Sequence, residues 1–275
     1  MTVDAMLGAV GRASLAAARD SLEAVIPTAD LDTLGADLLA VLHLLDREHG
    51  LRRAVSDPAA AVGAKVDLVR GLLAGQISEA ALTVVADVVR LRWSTPSQLT
   101  DALETLAVTA EAARAQAAGV LDDLEDELFR FSRVVEGEPR LRSALTDPAL
   151  PADRKRALLA ELLEGKVTPS TLRLVTEVVT YPRGRSLEGA LSLLGKLVAQ
   201  RRSRLVALVR SAVELSERQR TRLAAVLAAA YGQDVHLNIE IDPSVVGGLS
   251  IQIGDEIIDG TIAGRLDDVR RRLAS

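Results

Sequence analysis

The chain has 275 residues, a formal net charge of −5, no cysteine, and a composition that is 48% hydrophobic but only 2% aromatic. That length holds two or three domains with aliphatic cores, while the acidic balance and the scarcity of stacking rings argue against a nucleic-acid partner. Disulfides and thiolate metal sites are excluded, in keeping with a reducing compartment.

The start, Met1-Thr2-Val3-Asp4-Ala5, offers neither the basic nor the apolar stretch of a signal peptide. No uncharged apolar run approaches the roughly 18 residues of a membrane span, so any link to a membrane is expected to pass through a partner. The first predicted helix covers about Met6 to Ile26, with Leu7, Val10, Leu15 and Leu22 at apolar positions. An amphipathic helix from Leu31 to Glu48 follows, then a short one from Leu51 to Val55. Asp57-Pro58 breaks the chain there, because proline disfavours helical geometry in the residue before it. A helix from Val62 to Leu73 stops at Gly75. The fifth begins at Ser78, a good N-cap, and runs to about Arg92 with Leu82, Val85, Val88 and Val89 along it. Trp93 to Ala118 reads as one long, alanine-rich helix capped near Thr95-Pro96.

The pattern then starts again. Leu51-Arg52-Arg53-Ala54-Val55-Ser56-Asp57-Pro58-Ala59 matches Leu141-Arg142-Ser143-Ala144-Leu145-Thr146-Asp147-Pro148-Ala149 at an offset of ninety residues. Lys65 falls on Lys155, Leu72-Leu73 on Leu162-Leu163, Gly75 on Gly165, Leu82 on Leu172, Val85 on Val175 and Val89 on Val179. About fifteen of about forty positions are identical, where composition alone would give roughly four. The helical unit is duplicated, and the Trp93–Ala118 helix ends the first copy and begins the second. The expected domains are 1–118 and 93–204, two helical bundles sharing the 93–118 helix, then a small α/β domain over 205–275. The fold class is mainly α with that small α/β domain at the C-terminus.

The C-terminal domain reads as an ordered set of signals. Val206 to Ala212 is a strand, and Ser216 caps a helix that runs to Tyr231-Gly232. Val235 to Ile241 alternates as a second strand and runs into Asp242-Pro243, a turn signal. Gly247-Gly248 precedes the alternating strand Leu249 to Ile253, Gly254-Asp255 turns the chain, and Glu256 to Ile258 returns it. Asp259-Gly260 ends that strand, and Ile262 to Leu273 reads as an amphipathic helix. In this order the features resemble the C-terminal signature of the delta subunit of F-type ATP synthases, the oligomycin-sensitivity-conferring protein family. Leu141 to Pro148 with Lys155, Leu158, Leu159, Leu162 and Leu163 is similar to that family's helical domain, so the likeness covers roughly Glu125 to Leu273. The excess of Ala and Arg is of the actinobacterial, high-GC kind.

No catalytic constellation emerges. His43 and His49 lie six apart, which is no shared-face spacing for two metal ligands, and His236 lies in a strand. No phosphate-binding glycine loop is present. The run Asp122-Asp123-Leu124-Glu125-Asp126-Glu127 fits the first turns of a helix favoured by its dipole. Arg201-Arg202-Ser203-Arg204 and Arg270-Arg271-Arg272 fit helix ends. The expectation is a non-enzyme with no catalytic residue, cofactor or metal.

The resemblance implies a stator component of the proton-translocating ATP synthase, peripheral at the cytoplasmic face of the cell membrane and reaching it only through partners. In that family the helical domain caps the catalytic head by binding alpha-subunit segments, with the beta subunits beside them, and the C-terminal domain holds the b-type stalk subunits. The family receives an alpha-subunit helix between its first and fifth helices, a helix-in-groove mode. That implies Leu7, Val10, Leu15, Leu22, Leu82, Val85 and Val89 as head contacts, with Leu172, Val175 and Val179 as their second-copy counterparts. Asp242, Pro243, Gly247, Gly248, Asp259 and Gly260 would shape the C-terminal domain. The rival reading is a helical-repeat adaptor unrelated to ATP synthase.

Overall fold

Four helix starts fall where a side chain accepts one of the first free backbone N–H groups. Asp30 Oδ1 accepts the Asp32 N–H at 2.9 Å, and Ser78 and Thr168 accept from Ala81 and Thr171, each satisfying a donor that a helix start leaves unpaired. The computed structural model describes residues 8–202, 205–231, 235–243, 245, 248–253 and 256–259. Its helices are α1 (Ala9–Val25), α2 (Leu31–Arg47), α3 (His49–Ser56), α4 (Val62–Leu73), α5 (Glu79–Arg90), α6 (Pro96–Ala117), α7 (Leu121–Gly137), α8 (Pro139–Thr146), α9 (Ala152–Leu163), α10 (Pro169–Thr180) and α11 (Leu187–Arg202). A small sheet region follows, and the fold is mainly α with a small α/β region, as expected. Trp93 was expected inside the long helix. It lies before it, because Thr95 caps α6 and Pro96 takes the first helical position, where its missing N–H costs nothing.

The duplication is visible in the backbone: α2–α5 recur as α7–α10 with every bound moved by ninety residues. The same local devices set both copies. Asp57 and Asp147 each accept the N–H two residues on, at 2.8 Å. Gly75 and Gly165 both stand at positive φ, +73° and +71°, a conformation glycine adopts without steric penalty. The N–H of Ser78 donates to Asp37, and that of Thr168 to Glu127, ninety positions further on.

The chain divides into two compact units, Met1–Arg201 and Arg202–Ser275. The first holds two cores. One gathers side chains from α1 to α6, among them Leu15, Leu38, Leu42, Val85, Leu99, Leu103 and Leu106. The other gathers Val108, Ala112 and Ala115 of α6 with Leu124, Leu128, Val175, Leu191 and Leu194. Helix α6 serves both, and from Leu99 to Ala115 no residue of it is exposed.

In the second unit, β1 (Leu205–Ser211), α12 (Glu217–Tyr231), β2 (Val235–Ile241), β3 (Leu249–Ile253) and β4 (Glu256–Asp259) form a sheet in the order β2-β1-β3-β4. β1 and β2 are parallel, so α12 is the crossover that parallel pairing needs. β3 pairs antiparallel to β1 and to β4. Ala207, Val209, Leu227, Ile251 and Ile253 make the core. The helix expected over Ile262–Leu273 lies outside the described residues. Gly248 stands at φ +89° just before β3, in a region where a Cβ costs about 1–2 kcal/mol. Gly248→Val is therefore expected to lower the stability of the C-terminal unit by at least about 1 kcal/mol, with the helical unit unchanged. Urea unfolding followed by amide signals from each unit checks this.

Candidate partner-binding site

The apolar positions of α1, α5 and α10 point mainly inward. Leu15 and Leu22 are fully buried and Leu82, Val85 and Val89 nearly so, all in the first core. Val175 and Val179 sit in the second core, and Leu172 is half-buried. Val10 is 54% exposed, and Leu7 lies outside the described residues. The open side of α1 carries Ala9, Val10, Ala13, Ala16, Ala17 and Ala24, with Arg12 and Asp20 among them. Beside it α5 exposes Glu79, Thr83 and Arg90.

The equivalent side of the second copy is covered. Ninety residues on from Ala9, Ala13, Ala16 and Ala17 stand Leu99, Leu103, Leu106 and Ala107 of α6, all buried in the first core. Helix α2 lies along α6, and its polar side chains reach α10. A side chain at Gly35 would run into the Glu111 carboxylate of α6, so glycine permits the close approach. Arg114 donates to Asp32 at 2.6 Å, and Arg173 of α10 donates to the Asp32 carbonyl at 3.2 Å and to Glu111. His43 Nε2 meets Glu177 at 2.7 Å while its ring stacks on Tyr181 at 3.8 Å.

The densest part of this contact is one arginine. Arg183 stands in a turn closed by the Arg185 N–H to the Pro182 carbonyl at 3.0 Å. Arg183 and Gly184 both adopt positive φ, +51° and +74°, as a primed turn requires. This aims the guanidinium at α6 and α2. Its Nε donates to Asp46 at 2.9 Å, Nη2 to Thr100 at 2.8 Å and to Asp101 at 3.0 Å, and Nη1 to Glu104. Arg185 pairs with the same Glu104. At the other end of α6, Arg201 of α11 pairs with Glu23 of α1 and donates to Gln116 at 2.8 Å.

Burial and pairing shift three of these groups. Burial pushes the Glu111 carboxyl above its usual range, against the pull of Arg173, and does the same to Asp101 against Arg183. For Arg183 burial opposes the charge, but Glu104, Asp101 and Asp46 outweigh it and raise the pKa. Sequence periodicity did not single out this network, because each pair joins positions far apart in the chain. The signal available was Asp101, Glu104 and Glu111 on a helix that must be buried by both copies.

In the C-terminal unit, the Asp242 N–H donates to the Ser211 carbonyl at 2.9 Å and the Asp242 carbonyl accepts from Val245 at 3.1 Å, with Pro243 in the turn. Asp259 ends β4 opposite Ser250. Gly247 and Gly260 lie outside the described residues. Among the described residues no cluster of His, Asp and Glu could hold a metal ion, and no helix is long and apolar enough to cross a membrane.

Residues 107–273 match the family model described as ATP synthase delta (OSCP) subunit. A protein named ATP synthase subunit delta from Thermobifida fusca is 52% identical over 96% of this chain and 98% of its own. Its namesake in Streptomyces avermitilis is 51% identical over 96% of this chain and 97% of its own, and that in Streptomyces griseus 48% over 98% and 100%.

Glu111 yields a pH test. Its folded pKa lies above the ordinary 4.5, so the native chain keeps this proton to higher pH than the unfolded chain. Stability from this group falls as pH rises from 4.5 through the raised value. Urea midpoints measured across that window should fall more steeply for the parent chain than for Glu111→Gln; parallel curves would contradict the assignment.

Proposed function

This chain belongs to the ATP synthase delta (OSCP) subunit family, and we propose that it works as a non-catalytic link between the catalytic head and the b-type stalk subunits. It is a peripheral-stalk subunit of the ATP synthase complex. The observation that carries this is the match of residues 107–273 to the family together with relatives alike over nearly the whole chain. Rotation inside the head does useful work only if the head is held still, and a subunit that holds needs large, stiff interfaces and no chemistry. The complex holds the chain at the cytoplasmic face of the membrane through its partners.

The geometry favours one copy for the head. The helical unit would receive an amphipathic segment of an alpha subunit on the α1–α5 face of the first copy, where Val10, Ala13, Ala16 and Ala17 lie open. The corresponding α6–α10 face of the second copy is already covered by α2. The C-terminal unit, with Asp242, Pro243 and Gly248 shaping the approach to β3, would hold the b-type subunits. An unrelated helical-repeat adaptor finds no support in these relatives.

Pull-downs of the whole chain, and of residues 1–200 and 201–275, with purified head and with the soluble part of the b-type subunits test the reading. Head binding is expected with the first fragment and stalk binding to depend on the second. Ala13→Arg with Ala17→Arg in the whole chain should weaken head binding at least tenfold. Binding to neither partner by the whole chain would overturn the proposal.

A further inference from the structure

A cleft of about 490 Å³ opens in the second copy between α8, the start of α9 and the turn that leads into α11. Three cations line it: Arg142, Lys155 and Arg185. The hydroxyl residues Ser143, Thr146 and Ser186 stand among them, and the single carboxylate in the lining belongs to Glu188. That carboxylate meets Arg142 only at 4.0 Å, the limit of an ion pair.

One of the cations has no partner. Lys155 is only 8% exposed, yet among the described residues its ammonium has neither a hydrogen bond nor an ion pair. Arg185 pairs with Glu104 of α6 and its Nε is closed off from solvent, so it lends the cleft wall its charge and not a contact. A largely buried lysine side chain with no counter-charge is a ready partner for an anion, through charge-assisted hydrogen bonds. An anion in the cleft would give Lys155 the counter-charge it lacks.

The first copy supplies an internal comparison. Arg52, the counterpart of Arg142, is tied to Asp46 at 3.1 Å. In the second copy the residue ninety on from Asp46 is Glu136, and it pairs with Arg133 at 2.9 Å instead, which leaves Arg142 to the cleft. Lys65, the counterpart of Lys155, is slightly more buried, and that burial lowers its pKa against the pull of Asp57.

We propose that this cleft is a binding site for a phosphate-class oxyanion, held by Lys155 and Arg142 with the hydroxyls of Ser143, Thr146 and Ser186 around it and the charge of Arg185 in the wall behind them. The anion is either free phosphate or the phosphate of a nucleotide. The proposal rests on the cleft and not on the stator reading, and it is tested on the isolated whole chain. Calorimetric titration at low ionic strength would use inorganic phosphate, ADP and sodium chloride as separate probes. Phosphate or ADP is expected to bind with one site per chain, and chloride not to compete at equal concentration. Saturation by inorganic phosphate alone identifies the free ion as sufficient, and tighter binding of ADP identifies the nucleotide. Lys155→Met and Arg142→Gln should each weaken binding at least tenfold, while Lys65→Met leaves it unchanged. Arg142 is surface-placed, so its variant stays informative if Lys155→Met fails to fold. Binding no tighter than chloride, or equal loss in Lys65→Met, would overturn the site.

Discussion

Helix α6 has to be buried on every side, and the arrangement of the helical unit follows from that. Across the seventeen residues from Leu99 to Ala115 none is exposed and all but Asp101 and Arg114 are buried, so Glu104 and Glu111 have little solvent to turn to. Asp101, Glu104 and Glu111 must find cations from elsewhere, and these come from the second copy as Arg183, Arg185 and Arg173. Buried ion pairs of this kind add little net stability compared with well-packed apolar groups. Their effect is on specificity: a copy docked in another register would strand two buried carboxylates, Glu104 and Glu111.

The same constraint shapes the proposed function. Two bundles joined by a flexible linker would be free to turn about it, and a stator that bends stores the torque it should resist. Here α6 belongs to both cores, and α2 is held against the second copy by Asp32, His43 and Asp46. Duplication thus lengthens the subunit without adding a hinge at the junction. It also uses up one of two equivalent faces, since α2 covers the α6–α10 side and leaves the α1–α5 side open.

Much of this was legible in the sequence, for identifiable reasons. Short-range signals were read correctly: Asp57-Pro58 and Asp147-Pro148 break helices, Ser78 and Thr168 begin them, and Gly75 and Gly165 end them. The strands from Val235 and Leu249 followed from alternation. Arg183 was not legible, because its turn looks like any polar loop and its partners stand about eighty and one hundred and thirty-seven residues away. Apolar spacing on α1 and α5 located the core and not the outer face, since helical periodicity marks the side that is buried most deeply. The open side of α1 is written in alanine, which periodicity treats as background.

Native-state hydrogen exchange on the whole chain tests the dependence on α6 most directly. The account predicts that the most protected amides of α2 and α7 share one opening free energy, because both copies close around the same helix. Arg183→Met, which strips Asp101 of its cation and leaves Glu104 and Asp46 with only Arg185 and Arg52, should lower both by the same amount, about 1–3 kcal/mol. Loss of protection in α7 alone, with α2 unchanged, would show two independent bundles and contradict the account.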